Sequence, residues 1–303
     1  LLGVTLPDVL DPLVELPEEV PEVAVPEPEG LAVTLPVTPA ASAARTGRNW
    51  SGEDRRRFSS CCRVGSPGML TTMCERGPDS AGFAVYGTPS KGKGKITIQS
   101  ADADAFKGLA ERIKKEAGVA ADLALKSSHA VLTVPSDKSD AVVTWLRANT
   151  PNIRIMGSGE AIEIYKEVGY PTDVAKRFDL AKTSGSHAIG HTRMATESAV
   201  TTLGAHPFST GPDQCLVHNG SLSNHASLRR ELRRDGIRFE TENDTEVAAA
   251  YITWRMKQGL NLGDALRGTL DDLDGFFNFV VGTKNGFGVV RDPIACKPAV
   301  MAE

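Results

Sequence analysis

The sequence lacks the features by which several classes of protein are recognised. No apolar run approaches the roughly 18 residues that a membrane-spanning helix needs, and no basic segment followed by an apolar stretch opens the chain. The 38 acidic and 34 basic residues leave a formal net charge of −4, too small to indicate binding of nucleic acid or of an anionic membrane. We therefore expect a cytoplasmic, globular protein without partners of either kind.

Cysteine is scarce and irregularly spaced. The five cysteines form an odd count without the spacing of a metal site, which favours free thiols in a reducing compartment. His187 and His191 are four apart in a predicted strand with no acidic neighbour, so they do not indicate a metal either. The glycine-lysine run at 91–95 lacks the Lys-Ser/Thr pair of a phosphate loop. We expect neither a metal nor a cofactor.

Residues 1–67 differ in composition from the rest of the chain. They contain no Lys, Ile, Gln, His or Tyr, and prolines recur too often between Pro7 and Pro39 for a helix or an interior strand. The segment is predicted to be disordered or, alternatively, to be an out-of-frame stretch that joins a genuine frame near Gly68. The absence of an initiator Met and the end at Glu303, soon after a predicted strand, lead us to expect a fragment truncated at its C-terminus.

After Gly68 the hydrophobic pattern alternates between helical and strand periodicity. Helices are predicted over 69–74, 102–117, from 136 past 145, 161–168, 172–180, 224–234, 245–257 and 262–273. Strands are predicted over 83–86, 95–99, 130–134, 153–156, 187–194, 214–218, 276–281 and 286–290. The pattern predicts an α+β or layered α/β chain.

Four short motifs could carry chemistry, although each also has a structural explanation. The motif RGPDSAG at 76–82 is a glycine-rich turn that leads into a strand. Arg193 lies near a predicted strand end among small residues, where a guanidinium can be presented to a carboxylate. The pair Asn219-Gly220 is, taken alone, typical of a tight turn, and Asp244 precedes a helix that it could cap.

Together and in this order, the motifs resemble those of the class II glutamine amidotransferases, whose nucleophile is an N-terminal cysteine. The resemblance covers about 68–303. Within it, the stretch 87–185, with its segments at 156–159 and 161–169, looks like the stand-alone amidotransferase subunit of N-methylglutamate synthase and related glutamate-synthase-like proteins. The resemblance implies an α+β fold of the four-layer αββα type, with 87–185 as an additional α/β insertion.

The resemblance also implies roles for particular residues. The side chain of Asn219 and the backbone N–H of Gly220 would form the oxyanion hole. Arg193 would bind the α-carboxylate of glutamine and Asp244 its α-ammonium group, while Thr196 and His206 would line or brace the pocket.

The nucleophile is the part of the site that the sequence does not supply. Family members begin with cysteine, then glycine and an apolar strand, well ahead of the position that Arg76 matches, and the free α-amino group of that cysteine acts as the base. Cys62 stays a candidate, although it lies only fourteen residues before Arg76 and no glycine follows it. Cys74 and Cys215 are predicted to be buried apolar residues, and Cys296 lies in a structural turn.

The expected function is a glutaminase subunit that converts glutamine to glutamate and ammonia for a separate synthase, such as N-methylglutamate synthase or glutamate synthase. Two alternatives stay open at this point. The chain could be a truncated amidophosphoribosyltransferase, or a non-catalytic glutamine-binding subunit that lacks its nucleophile.

Overall fold

The computed structural model describes residues 70, 72–194 and 200–299. The segment 1–67, the cysteines Cys61 and Cys62 and the position Thr196 lie outside the described residues. Ten β-strands and six α-helices have both ends within the described part, which makes the chain an α+β protein, as predicted. No helix among the described residues is both long and apolar enough to cross a bilayer.

The strands form three antiparallel sheets. They are β1 Ser80–Tyr86, β2 Lys93–Gln99, β3 Asp122–Lys126, β4 His129–Pro135, β5 Arg154–Gly159, β6 Ile162–Val168, β7 His187–Arg193, β8 Gln214–Leu222, β9 Gly275–Thr283 and β10 Gly286–Arg291. The first sheet has the order β6-β1-β7, the second β10-β9-β8 and the third β3-β4-β2-β5. The helices are α1 Leu109–Ala117, α2 Ser139–Asn149, α3 Pro171–Arg177, α4 His225–Arg234, α5 Asp244–Lys257 and α6 Leu262–Asp272.

The first and second sheets pack against each other through apolar side chains on their facing sides. Ala84 and Tyr86 of β1 and Ile164 of β6 share one buried cluster with Cys215 and Val217 of β8. Alternate residues of a strand point to opposite faces, so the intervening residues of these strands point outward. We call the facing sides the inner faces of the two sheets.

The outer faces of both sheets are covered by helices. Phe83 and Tyr165 of the first sheet pack on Val174 and Phe178, at and just after α3. The outer face of the second sheet is covered by α4, α5 and α6, and Phe279 on this face is fully buried. The long helix α5 is buried over most of its length, which explains why its hydrophobic residues do not follow one stripe.

The third sheet has a core of its own. Its strands β2 and β4 bury Ile96, Ile98 and Leu132 against α1 and α2, with Ile113 from α1 and Leu146 from α2 fully or almost fully buried. These elements lie within the stretch 87–185, whose bounds as an insertion stay a prediction.

Two local predictions were wrong. The segment 161–168 is not a helix but contains β6, which pairs with β1 along its whole length. Its alternation of Ile162, Glu163 and Ile164 has the strand period of two, and the β-branched residues pack on the inner face. The helix predicted over 102–117 is a short 3₁₀ turn followed by α1, because Gly108 adopts φ +65° between them. The strand β3 was not predicted at all.

Two leucines on neighbouring strands of the third sheet allow a matched test of this packing. Leu132→Ala removes a fully buried side chain and should lower the free energy of unfolding by about 2–5 kcal/mol, measured by urea denaturation. Leu125→Ala removes a side chain that is 63% exposed and should change it by no more than about 0.5 kcal/mol. Equal losses for the two variants would contradict the difference in burial between Leu132 and Leu125.

Candidate functional site

Arg193 and Asn219 lie on the inner faces of the two stacked sheets. Arg193 follows Ile189 and His191 at intervals of two on β7, and Ile189 belongs to the inner cluster. Asn219 follows Cys215 and Val217 in the same way on β8. Because side chains alternate along a strand, both functional candidates point into the space between the sheets.

The RGPDS turn packs against the end of β7 and so fixes the position of Arg193. Arg76 donates from Nη1 to the carbonyl of Thr192 at 3.2 Å, and the backbone N–H of Asp79 donates to the carbonyl of Arg193 at 3.1 Å. A Cβ at Gly77 would lie 2.5 Å from the backbone of Thr192, so only glycine permits this approach. The structural explanation of this motif is therefore correct, and it serves the strand that carries Arg193.

The pair Asn219-Gly220 continues β8 and does not form the tight turn that it suggests in isolation. Asn219 pairs with Asn278 and Gly220 with Phe277 on β9. Gly220 has φ +149°, and a Cβ there would lie 1.9 Å from the carbonyl oxygen of Phe276. The strand requires glycine here, and the backbone N–H next to the Asn219 amide keeps a fixed direction.

Asp244 is the first residue of α5, but it is not the helix cap. Asn243 caps the helix, since its side chain accepts a hydrogen bond from the backbone N–H of Thr245 at 2.8 Å. Asp244 Oδ2 instead accepts from the backbone N–H of Leu222, two residues beyond Gly220, at 3.0 Å. The N-cap interpretation of Asp244 was wrong, and its carboxylate is held beside the end of β8.

Asp244 stays ionised because hydrogen bonds outweigh the effect of its burial. Burial alone would raise the pKa of this carboxyl group. The His218 ring, whose Nδ1 lies 3.7 Å from Asp244 Oδ1, and the backbone N–H groups of Leu222 and Thr245 lower the pKa below its usual value. A partly buried carboxylate of this kind can pair with a cation.

The hydroxyl of Thr245 connects Asp244 to two buried histidines. It lies 2.9 Å from His206 Nε2, 3.1 Å from His218 Nδ1 and 3.4 Å from Asp244 Oδ1. A hydroxyl has one donor and two acceptor positions. The hydroxyl can therefore contact all three groups at once, and it donates to Asp244.

His191 completes this cluster and joins β7 to β8. Its Nε2 donates to the carbonyl of His218 at 3.1 Å, and its ring stacks on His206 with centroids 4.2 Å apart. Burial, and then the charge of Arg76, lower the pKa of His191 to about 3. Burial and the neighbouring His191 and His218 lower the pKa of His206 well below its usual value. Both rings are neutral, so they act as fixed hydrogen-bonding groups.

The cysteines of the described part do not supply a nucleophile at this cluster. Cys74 and Cys215 are buried, as predicted. Burial raises the pKa of Cys215 to about 11, and Tyr86 donates its hydroxyl to the sulfur at 3.4 Å. Such a thiol stays protonated and unreactive near neutral pH. Cys296 is exposed, and Cys61 and Cys62 lie outside the described residues.

The sequence did not reveal Thr245, His218 or Lys166 as parts of the site. Lys166 is 4% exposed on β6 and donates to three backbone carbonyls of the segment that carries His206. Interpreting 161–168 as a strand would have placed Lys166 on the same face as Ile162 and Ile164, where a lysine needs an explanation. Thr245 and His218 are direct neighbours of Asp244 and Asn219 in the short motifs, and only the folded structure brings their side chains together.

These features define an α+β protein in which an arginine, an asparagine-glycine pair and an ionised aspartate adjoin a cluster of buried histidines. Residues 191–303 match the family described as the glutamine amidotransferase domain. The glutamine amidotransferase-like protein GlxB of Rhizobium meliloti (strain 1021) is 66% identical over 235 residues, which cover 78% of this chain and 78% of that protein. The chain therefore belongs to the glutamine amidotransferase family.

Relatives of lower sequence identity are also named as amidotransferases or aminotransferases that use glutamine. A putative glutamine amidotransferase of Methanothermobacter thermautotrophicus is 34% identical over 247 residues, which cover 78% of this chain and 81% of that protein. A glutamine–fructose-6-phosphate aminotransferase of Vibrio vulnificus is 31% identical over 137 residues, 45% of this chain and 22% of that protein. The solved glutamine phosphoribosylpyrophosphate amidotransferase of B. subtilis superimposes with a TM-score of 0.39 and 21% identity, over 70% of this chain and 37% of that chain.

Two glycines with similar backbone angles test the close approach at the oxyanion candidate. Gly220→Ala forces a methyl group into the backbone of Phe276, whereas Gly286→Ala at φ +141° meets nothing within 4 Å. Both substitutions strain the backbone, so the difference between them isolates the clash. We expect Gly220→Ala to lower the free energy of unfolding by at least about 2 kcal/mol more than Gly286→Ala, measured by urea denaturation. Equal effects would contradict this geometry.

Proposed function

We propose that this chain is the glutamine-hydrolysing subunit of a class II amidotransferase and provides ammonia to a separate synthase. The observation that carries the proposal is the hydrogen bond from the N–H of Leu222 to Asp244, which holds an ionised carboxylate next to the strand of Asn219 and Gly220. This arrangement has one group for each part of a glutamine molecule.

The amino-acid head of glutamine carries one carboxylate and one ammonium group. Arg193 would bind the α-carboxylate, because its guanidinium can make two parallel charge-assisted hydrogen bonds. Asp244 would bind the α-ammonium group, and its lowered pKa keeps it ionised at neutral pH. His206 would brace the pocket through Thr245, and Thr196 stays a proposed pocket residue outside the described part.

The amide of glutamine would meet Asn219 and Gly220. Attack on an amide carbonyl creates a negatively charged oxygen, which fixed hydrogen-bond donors stabilise by about 3–4 kcal/mol per donor. The side-chain amide of Asn219 and the N–H of Gly220 are donors on one rigid strand, and strand pairing with Asn278 and Phe277 limits their movement. Such preorganised donors suit the family's reaction.

The attacking group would be a thiol that passes its proton to an α-amino group and attacks as the thiolate, as the family resemblance implies. The thiol forms a thioester with the glutamyl carbonyl and ammonia leaves, after which water releases glutamate. Cys62 stays a candidate for this role. No metal or cofactor enters the proposed reaction.

We further propose the wider setting that the resemblance implies. The domain at 68–303 would adopt the four-layer αββα fold with an α/β insertion at 87–185, and the inner and outer packing of the two sheets supports this. The segment 1–67 would lie outside that domain. The protein would be cytoplasmic, and its partner would be a synthase of the N-methylglutamate or glutamate synthase kind.

A second candidate is a glutamine-binding subunit without hydrolytic activity. The observation that favours it is the burial of Cys74 and Cys215, which leaves the described part without a reactive thiol at the cluster. A diazoketone analogue of glutamine distinguishes the two candidates by mass spectrometry of the full chain. Ammonia release together with a labelled cysteine supports the hydrolase, whereas glutamine binding with neither supports the second candidate.

Both candidates predict that glutamine binding depends on the two charged groups. Arg193→Lys and Asp244→Asn should each weaken glutamine binding by about 10- to 100-fold, measured by isothermal titration calorimetry on the full chain. Asp264→Asn is the matched control, because Asp264 also lies in the first turn of a helix and is 49% exposed. The proposal fails if all three variants bind glutamine as the unmodified chain does.

A further inference from the structure

A lysine ammonium is buried beneath the segment that carries His206. Lys166 Nζ donates to the carbonyl oxygens of Leu203 at 3.1 Å, Ala205 at 2.8 Å and Pro207 at 3.2 Å. An ammonium group has three N–H donors, so these carbonyls account for all of them. One buried cation thus fixes the backbone on both sides of His206.

Burying this cation is costly, and its surroundings offset the cost only in part. Burial lowers the pKa of Lys166 to about 7, although the charges of Glu246 and Glu240 act in the opposite direction. The ring of Phe208 lies 4.4 Å from Nζ and adds a cation–π contact. Buried charges can often be replaced by apolar side chains without loss of stability. Stability alone is therefore a poor reason for a lysine here, and a positional role explains it better.

The strands β1 and β7 contact the same segment. Gly82 of β1 pairs with Lys166 on one side and with His191 on the other. A Cβ at Gly82 would lie 2.2 Å from the carbonyl oxygen of His206. Because glycine has no side chain, the segment can pack directly on the sheet. The ring of His206 then stacks on His191. Lys166, Gly82 and His191 together define where His206 lies.

We propose that Lys166 is a positioning residue of the glutamine site. Its ammonium group holds the backbone of 203–207 so that His206 meets the Thr245 hydroxyl, and Thr245 orients the Asp244 carboxylate. Lys166 does not touch glutamine in this account but acts through the chain of contacts already described. The inference rests on the proposed function, since it assumes that Asp244 binds the substrate.

The residue next to Lys166 anchors the same stretch of chain from the opposite face of β6. Glu167 accepts hydrogen bonds from the hydroxyl of Thr202 and from that of Ser128, the latter at 2.7 Å. It also forms an ion pair with Arg177 at 3.4 Å. Two successive residues of β6, Lys166 and Glu167, therefore hold the stretch 202–207 from the two faces of the strand.

The test replaces Lys166 with methionine, which removes the charge and the donors but keeps an unbranched side chain. We expect Lys166→Met to weaken glutamine binding by at least about 10-fold, measured by isothermal titration calorimetry on the full chain. The matched control is Lys95→Met. It removes a lysine on β2 that pairs with Glu163 at 2.6 Å, and glutamine binding should stay within about twofold of the unmodified chain.

Thermal unfolding of both variants separates a positional role from a general loss of stability. A folded Lys166→Met chain that binds glutamine normally overturns the inference, as does an equal loss of binding in Lys95→Met. If Lys166→Met does not fold, Lys166→Gln replaces it in the same comparison of glutamine affinity, because the glutamine amide keeps two N–H donors. Lys166→Gln is then expected to bind glutamine more weakly than the unmodified chain, and unchanged binding overturns the inference. Absence of glutamine binding by the unmodified chain overturns the proposed function as well.

Discussion

The hydroxyl of Thr245 is the point at which three separate parts of the chain meet. It lies within hydrogen-bonding distance of His206, which precedes β8, and of His218 within β8, and it donates to Asp244 at the start of α5. These three contacts match the one donor and two acceptor positions of a hydroxyl. The start of α5, the strand β8 and the segment that carries His206 are therefore held together at this one side chain.

Close contacts between backbones are the second constraint, and glycine makes them possible. Gly77 allows the RGPDS turn to reach the end of β7, Gly82 admits the segment of His206, and Gly220 lets β8 pass the carbonyl of Phe276. Each of these positions would place a Cβ within 2.5 Å of another heavy atom. Close contacts between main-chain segments therefore shape the site, and in the proposed function the charged side chains of Arg193 and Asp244 recognise glutamine.

The sequence predicted the local parts of this architecture better than the long-range ones. Arg193, Asn219 and Asp244 could be found because each lies in a short motif whose order along the chain is informative. The strand β6 was mistaken for a helix, since eight residues carry both periods and only its pairing with β1 decides between them. The contacts of Lys166 depend on tertiary geometry, which no local pattern encodes, whereas the cap at Asn243 is a local contact of a preferred capping residue.

The central claim is that an ionised Asp244 recognises the α-ammonium group of glutamine. The most direct test compares L-glutamine with 5-amino-5-oxopentanoate, the same molecule without its α-amino group, by isothermal titration calorimetry on the full chain. We expect the analogue to bind at least about 10-fold more weakly to the unmodified chain, and the difference to disappear in Asp244→Asn. Equal affinities of the unmodified chain for both ligands would contradict the account.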